Sequence, residues 1–191
     1  MRLILRSSVA VGILAIAGCA QAPAAAPPPP TAPAVSPVER GKYLVNTSAC
    51  HDCHTPAKMG PNGPEPDMER MLSGHPEDLK VGAPPKLPDG WLAATNNTFT
   101  AWSGPWGISY TANLTPDPSG LAAWSEDMFI RAIREGKHMG QSRPILPPMP
   151  WPVYRNFTDE DLKAIFAYLK TIPPVRNHVP DPIIAAPPAT K

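Results

Sequence analysis

Five consecutive residues, Cys50-His51-Asp52-Cys53-His54, constrain this chain more than any other stretch of it. Cys-x-x-Cys-His is the spacing at which haem is attached covalently. Two thiols three positions apart reach the two vinyl groups of one porphyrin. The adjoining His54 turns under the ring and offers its imidazole to the iron as proximal ligand. A chain so attached has to fold around the ring. Cys-x-x-Cys also occurs as a redox dithiol or as half of a zinc site, but no second cysteine pair exists to complete zinc ligation, and a dithiol has no need of His54.

With Cys50 and Cys53 assigned, one of the three cysteines remains, Cys19. Arg2 and Arg6 form a basic start, Val9 to Ala17 an apolar run, and Ile16-Ala17-Gly18-Cys19 resembles a bacterial lipobox. Residues 1–18 are therefore expected to be a lipoprotein signal peptide and Cys19 the lipidated first residue. The run is shorter than the roughly 20 apolar residues that span a bilayer. A plain signal peptide cut near Ala20 to Ala22 is the simpler alternative. Either route exports the chain, to the periplasmic or cell-surface side of a bacterial membrane, and several acyl chains on Cys19 would anchor it there.

Residues 19–35 are almost entirely Ala and Pro, with nothing to build a core and a preference for extended polyproline II. At about 3.1 Å per residue this spacer would hold the following domain up to roughly 50 Å from the membrane. Residues 36–182 have the size of one domain, and residues 183–191 return to Pro and Ala as a flexible tail. Removing Arg2 and Arg6 moves the formal charge from +1 to about −1. No charge bias of that size points to nucleic acid.

Three helices carry their own punctuation. Ser36-Pro37-Val38-Glu39 is a capping box with Pro at the first helical position, so a helix should run from there towards Asn46 and deliver the chain into the haem motif. Gly41 within it costs stability unless another helix crosses closely. A second helix should begin after Ser125, with Trp124 stapled to Phe129, and end near Gly136. A third is capped by Thr158, led by Asp159, Glu160 and Asp161, and striped by Leu162, Ile165, Phe166, Leu169 and Ile172 before Pro173-Pro174. No alternating strand pattern is evident. Thr55 to Pro118, rich in Pro, Gly, Asn and Trp, is expected to form long irregular loops.

This order resembles class I cytochrome c, in which the first and last helices cross and the haem sits among them. Asn113-Leu114-Thr115-Pro116-Asp117, Gly120, Trp124-Ser125, Pro147-Pro148-Met149-Pro150 and Phe157-Thr158-Asp159-Glu160-Asp161-Leu162 are similar to the bacterial cytochrome c domains found alone, in tandem and as cytochrome subunits of periplasmic dehydrogenases. The resemblance implies an all-α fold with one covalent haem c. The long segment between His54 and Asn113 departs from a minimal cytochrome. A thioether opposite His54 would favour reduced iron, and Met149 lies between the second and third helices, where the family places its distal Met. Met139, Met59, Met68 and Met71 are alternatives, as are His138, His75 and His178. The resemblance also suggests Pro61 as the carbonyl that accepts the His54 imidazole proton. Trp106, Tyr110, Asn113, Arg143 and Trp151 are candidates to pack on the ring or bond its propionates.

The expected function is electron transfer, as a membrane-tethered carrier or as the cytochrome subunit of a respiratory or dehydrogenase complex. Its partners would be a redox donor and acceptor, such as a periplasmic dehydrogenase or a terminal oxidase. No nucleophile and base set suggests catalysis by this chain alone. The alternative is a haem enzyme or sensor that binds peroxide or a small gas at an open sixth iron position.

Overall fold

A computed structural model describes residues 35–185. The expected signal peptide, Cys19 and all but the end of the linker lie outside the described residues, as do residues 186–191.

The capping box forms as the sequence dictates. Ser36 Oγ accepts from the Glu39 amide at 3.2 Å, and Glu39 accepts in return from the Ser36 amide at 3.1 Å. Helix α1, Pro37–Thr47, follows, with Gly41, Leu44 and Val45 buried. After Ala49 in the left-handed region, the haem motif itself is a short helix, α2, Cys50–His54. Helix α3, Glu126–Glu135, is capped by Ser125, and α5, Asp159–Leu169, by Thr158. Between them Trp151–Tyr154 forms the single turn α4.

Helices α1 and α5 cross in the contact that Gly41 permits. A Cβ at this position would lie 1.9 Å from the Ala164 carbonyl oxygen, so only glycine allows the backbones to meet. Arg40 pairs with Asp161 at 2.9 Å at the edge of the crossing. Leu44, Val45, Leu162, Ile165, Phe166 and Leu169 join Phe129 and Ile133 of α3 in one core, each worth roughly 1.5–3 kcal/mol of burial. All five residues of the expected α5 stripe are buried. The helix ends at Leu169, before Pro173, so Ile172 reaches the core from the following turn.

The all-α expectation, with irregular loops from Thr55 to Pro118, is overturned. Strands β1, Ala57–Gly60, and β2, Gly63–Pro66, form an antiparallel hairpin. A second sheet has the order β3-β4-β5-β6, from Ala94–Thr95, Ala101–Gly104, Gly107–Tyr110 and Ile183–Ile184, all antiparallel. These strands are two or four residues long and do not alternate between core and solvent, so they leave no two-residue hydrophobic period to read. Turns organise them instead: Gly60 pairs with Gly63 across Pro61-Asn62, and Gly104 with Gly107 across Pro105-Trp106.

The last strand is made of Ile183 and Ile184, residues assigned above to the tail. Asn177 pins the approach to it, donating to the carbonyls of Ser73 at 2.6 Å and His75 at 2.8 Å and accepting from the Glu77 amide at 2.8 Å. Gly107, at φ +106°, receives β6 where a Cβ would meet the Ile183 carbonyl oxygen at 1.9 Å. Residues 177–184 thus form a strap from the helical core to the sheet.

Candidate haem site

A cavity of about 370 Å³ opens between α2, α3, α5, the loop before α4 and the strap. Its lining is mainly apolar, with few convergent polar groups, as cofactor sites generally are. Cys50, Cys53 and His54 contribute from α2, Met149 from the loop, and His178 to Pro182 from the strap. The expected staple of Trp124 with Phe129, together with Phe157 and Leu162, supplies aromatic and aliphatic wall.

His54 is buried, and its Nδ1 lies 2.8 Å from the Ala112 carbonyl oxygen. A carbonyl only accepts, so Nδ1 carries the proton and Nε2 keeps its lone pair. Nε2 has no hydrogen-bond partner among the described residues. Burial, ahead of the opposing Ala112 bond, lowers the pKa of the ring and keeps it neutral, the form that can ligate a metal. The acceptor is therefore Ala112 and not Pro61, which sits exposed in the β1–β2 turn. Ala112 lies two residues beyond the end of β5. Thr111 before it is held in both directions, donating to Thr100 O at 2.9 Å and accepting from the His75 amide at 2.9 Å. The segment between His54 and Asn113 thus returns to orient the very histidine it leaves.

Burial pushes the Cys50 thiol up to about 11 and raises that of Cys53. Neither has the nearby cation that activates a redox dithiol. Two protonated thiols, a neutral imidazole with one free nitrogen and a thioether on one apolar cavity form a donor set that fits covalently attached haem.

Among the other candidates, Tyr110, Asn113 and Arg143 line the cavity. Arg143 makes no ion pair among the described residues and shares the lining with His138 and His178; its guanidinium is suited to propionate carboxylates. Asn113 is already engaged, donating to Val175 O at 2.9 Å and accepting from the Thr115 amide. Trp106 and Trp151 are not in the lining. Trp106 packs over Gly104, and Trp151 fills the space that a side chain on Gly136 would need. Met59 and Met68 are exposed, and Met139 and Met71 lie outside the cavity wall. His75 is fully buried elsewhere, bonded through both ring nitrogens to Thr100 and Leu79. Tyr154 and the strap residues other than His178 were not anticipated. Tyr154 donates its hydroxyl to Ser48 O, closing the wall beside Cys50.

The fold and cavity define a pocket that fits a covalently held haem. The chain belongs to the cytochrome c family, whose model matches residues 38–173. It is 41% identical over 81 residues to a nicotinate dehydrogenase subunit of Pseudomonas putida, covering 42% of this chain and 7% of that protein. It is 32% identical over 169 residues to the cytochrome c subunit of the quinone-type alcohol dehydrogenase of Gluconacetobacter polyoxogenes, covering 83% and 30%. It is 27% identical over 135 residues to the fructose dehydrogenase cytochrome subunit of Gluconobacter japonicus, covering 70% and 21%. The chain spans less than a third of the length of each of these relatives. Its cofactor is haem c, covalently bound through Cys50 and Cys53, and its chemistry is electron transfer.

Proposed function

We propose that this chain carries single electrons between a dehydrogenase and a further acceptor, with His54 and Met149 as the two side chains that would hold the iron of its haem. The observation that carries the ligand assignment is the presence of Met149 on the same cavity as Cys50, Cys53 and His54, while the other thioethers expected as alternatives lie outside it. The relatives named as cytochrome subunits of dehydrogenases support a dehydrogenase as partner. When bound, the haem supplies the one-electron chemistry between ferrous and ferric iron.

The protein's part is to hold and to shield. The Ala112 carbonyl fixes the His54 tautomer and raises the basicity of its free nitrogen. Met149 supplies a soft sulfur that favours the reduced state. The aromatic and aliphatic wall and the strap exclude water. Met149 occupies space that an open-site enzyme or sensor would leave to its substrate. Lipidation at Cys19 would tether the domain to the extracytoplasmic face of a membrane through the Pro/Ala-rich linker, a reading that rests on the lipobox alone.

The test is the absorption spectrum of haem-loaded protein, oxidised and reduced, before and after carbon monoxide. Native protein should be low-spin, show the near-infrared sulfur-to-iron band and ignore carbon monoxide. Met149→Ala should keep its haem through denaturing electrophoresis, lose that band, bind carbon monoxide and fall in reduction potential. An unchanged spectrum and potential in Met149→Ala would remove Met149 from the iron.

A further inference from the structure

A second concavity, again about 370 Å³, lies outside the haem cavity, between α2, the β1–β2 hairpin and the turn joining β3 to β4. Cys53 lines both. Whatever sits in this outer cleft is separated from the haem by the side chain to which the haem is bonded. The cleft exists because the segment after His54 folds back beside the motif, and positioning His54 through Ala112 does not account for it.

Its walls combine two chemistries. Asp52 and Glu65 are exposed carboxylates, and neither forms an ion pair among the described residues. Lys58, the cross-strand neighbour of Glu65, pairs instead with Asp67 at 3.5 Å, as does Arg70 at 3.1 Å. His51 is engaged at both ring nitrogens, by Thr55 and Asn46. The remaining wall is aromatic. Trp102 is half-buried, its indole nitrogen donating to the Phe99 carbonyl at 3.0 Å, which fixes the indole beside the cleft. Phe99 is 36% exposed and holds φ +57°, a left-handed conformation that a bulky side chain rarely adopts. Carboxylates beside open aromatic faces complement a guanidinium or ammonium group and repel an anion.

We propose that this cleft is the docking site for the electron-transfer partner, and that its occupant is a basic side chain, Arg or Lys, presented by the partner protein. The cation would pair with Asp52 and Glu65 and lie over Phe99 and Trp102, bringing the partner to the outer face of Cys53. The reduced chain then gives up one electron and the acceptor is reduced by one, with no bond made or broken. Because the formal charge of the whole chain is close to zero, steering comes from this local pair of carboxylates and not from a global field. The proposal rests on the haem reading above.

The experiment follows oxidation of the reduced, haem-loaded protein in a stopped-flow instrument by two small oxidants. Tris(1,10-phenanthroline)cobalt(III) is cationic with aromatic ligands, and ferricyanide is an anion. Glu65→Gln should slow the cobalt reaction several-fold at low ionic strength and Trp102→Leu should slow it as well, while neither slows ferricyanide. Added salt should slow the native protein towards the rate of Glu65→Gln. Glu160→Gln, at an exposed carboxylate on α5 outside the lining of either cavity, should leave the cobalt rate unchanged. If Glu65→Gln and Trp102→Leu react with cobalt at the native rate, or if Glu160→Gln slows it as much, the electron leaves elsewhere and the cleft is not the docking site. In that event a normal haem spectrum and ferricyanide rate would leave the haem reading standing. A chain that takes up no haem would overturn both.

Discussion

Helices α1, α3 and α5 and the segment from Thr55 to Ala112 serve one site by opposite means. The helices bury a continuous apolar core, and their contribution is a frame: the crossing at Gly41, the stripe of α5, and the walls formed by Phe129 and Leu162. The segment between them buries little apolar surface, exposing Met59, Trp91 and Leu92. It is held largely by polar contacts, such as His75 to Thr100 at 2.8 Å and Thr98 to Thr100 at 2.7 Å. Yet this weaker region supplies the carbonyl that orients His54 and the outer wall of Cys53. Stability lies mainly in one region, and the tuning of the metal ligand in the other.

Three substitutions would break or sharpen that contrast. The largest effect is expected from Gly41→Ala, whose new methyl meets the Ala164 carbonyl and Tyr168 Cβ. Separating the helices should cost about 3 kcal/mol, read as a fall in the thermal midpoint of the haem-loaded protein. An unshifted midpoint would mean that the crossing is not where the fold's stability lies. Asn177→Ala, at the junction of strap and sheet segment, strands the carbonyls of Ser73 and His75 and should cost about 2 kcal/mol by chemical denaturation. Amide exchange at Ile183 and Ile184 should quicken well before the helices respond. If helix and strap amides accelerate together, the two regions are one cooperative unit.

The smallest effect concerns acid. The Glu77 carboxyl is held below its ordinary value first by the His178 amide and also by Arg176. A lowered carboxylate stabilises above its unfolded value and loses that contribution as pH falls through the lowered one. Strap protection should therefore decline on acidification below about pH 4.3, and Glu77→Gln should flatten that decline. A variant that keeps the native acid profile would show that Glu77 does not hold the strap.

The two regions also differ in how far their sequence could be read. Ser36, Ser125 and Thr158 announce helix starts because a cap is a side-chain event, and the α5 stripe repeats long enough to define a face. Cys50, Cys53 and His54 could be picked out because their residue types and spacing are the chemistry, whereas Met149 was singled out by the family resemblance and lines the same cavity. The strands were not, since two to four residues carry no period. One signal was present, however: Gly60-Pro61-Asn62-Gly63 and Gly104-Pro105-Trp106-Gly107 share the pattern Gly-Pro-x-Gly, with Pro suited to the first central turn position. Ala112 had no signal at all, because every residue carries a carbonyl and only the path of β5 selects this one. The strap is written as Pro and Asp, which suggests slack; its anchors, Asn177 and Gly107, lie outside that composition.

The strap also sets an order of assembly. Cys50 and Cys53 come early in the chain, on a helix whose cavity face needs nothing from the far end. Residues 178–182 form part of the wall of that cavity, held on one side by Asn177 and on the other by the pairing of β6 with β5. A rigid, flat cofactor is laid against α2 most easily while that part of the wall is absent, so attachment naturally precedes closure. The pocket is then less a socket into which haem is inserted than a wrapper completed over haem already in place.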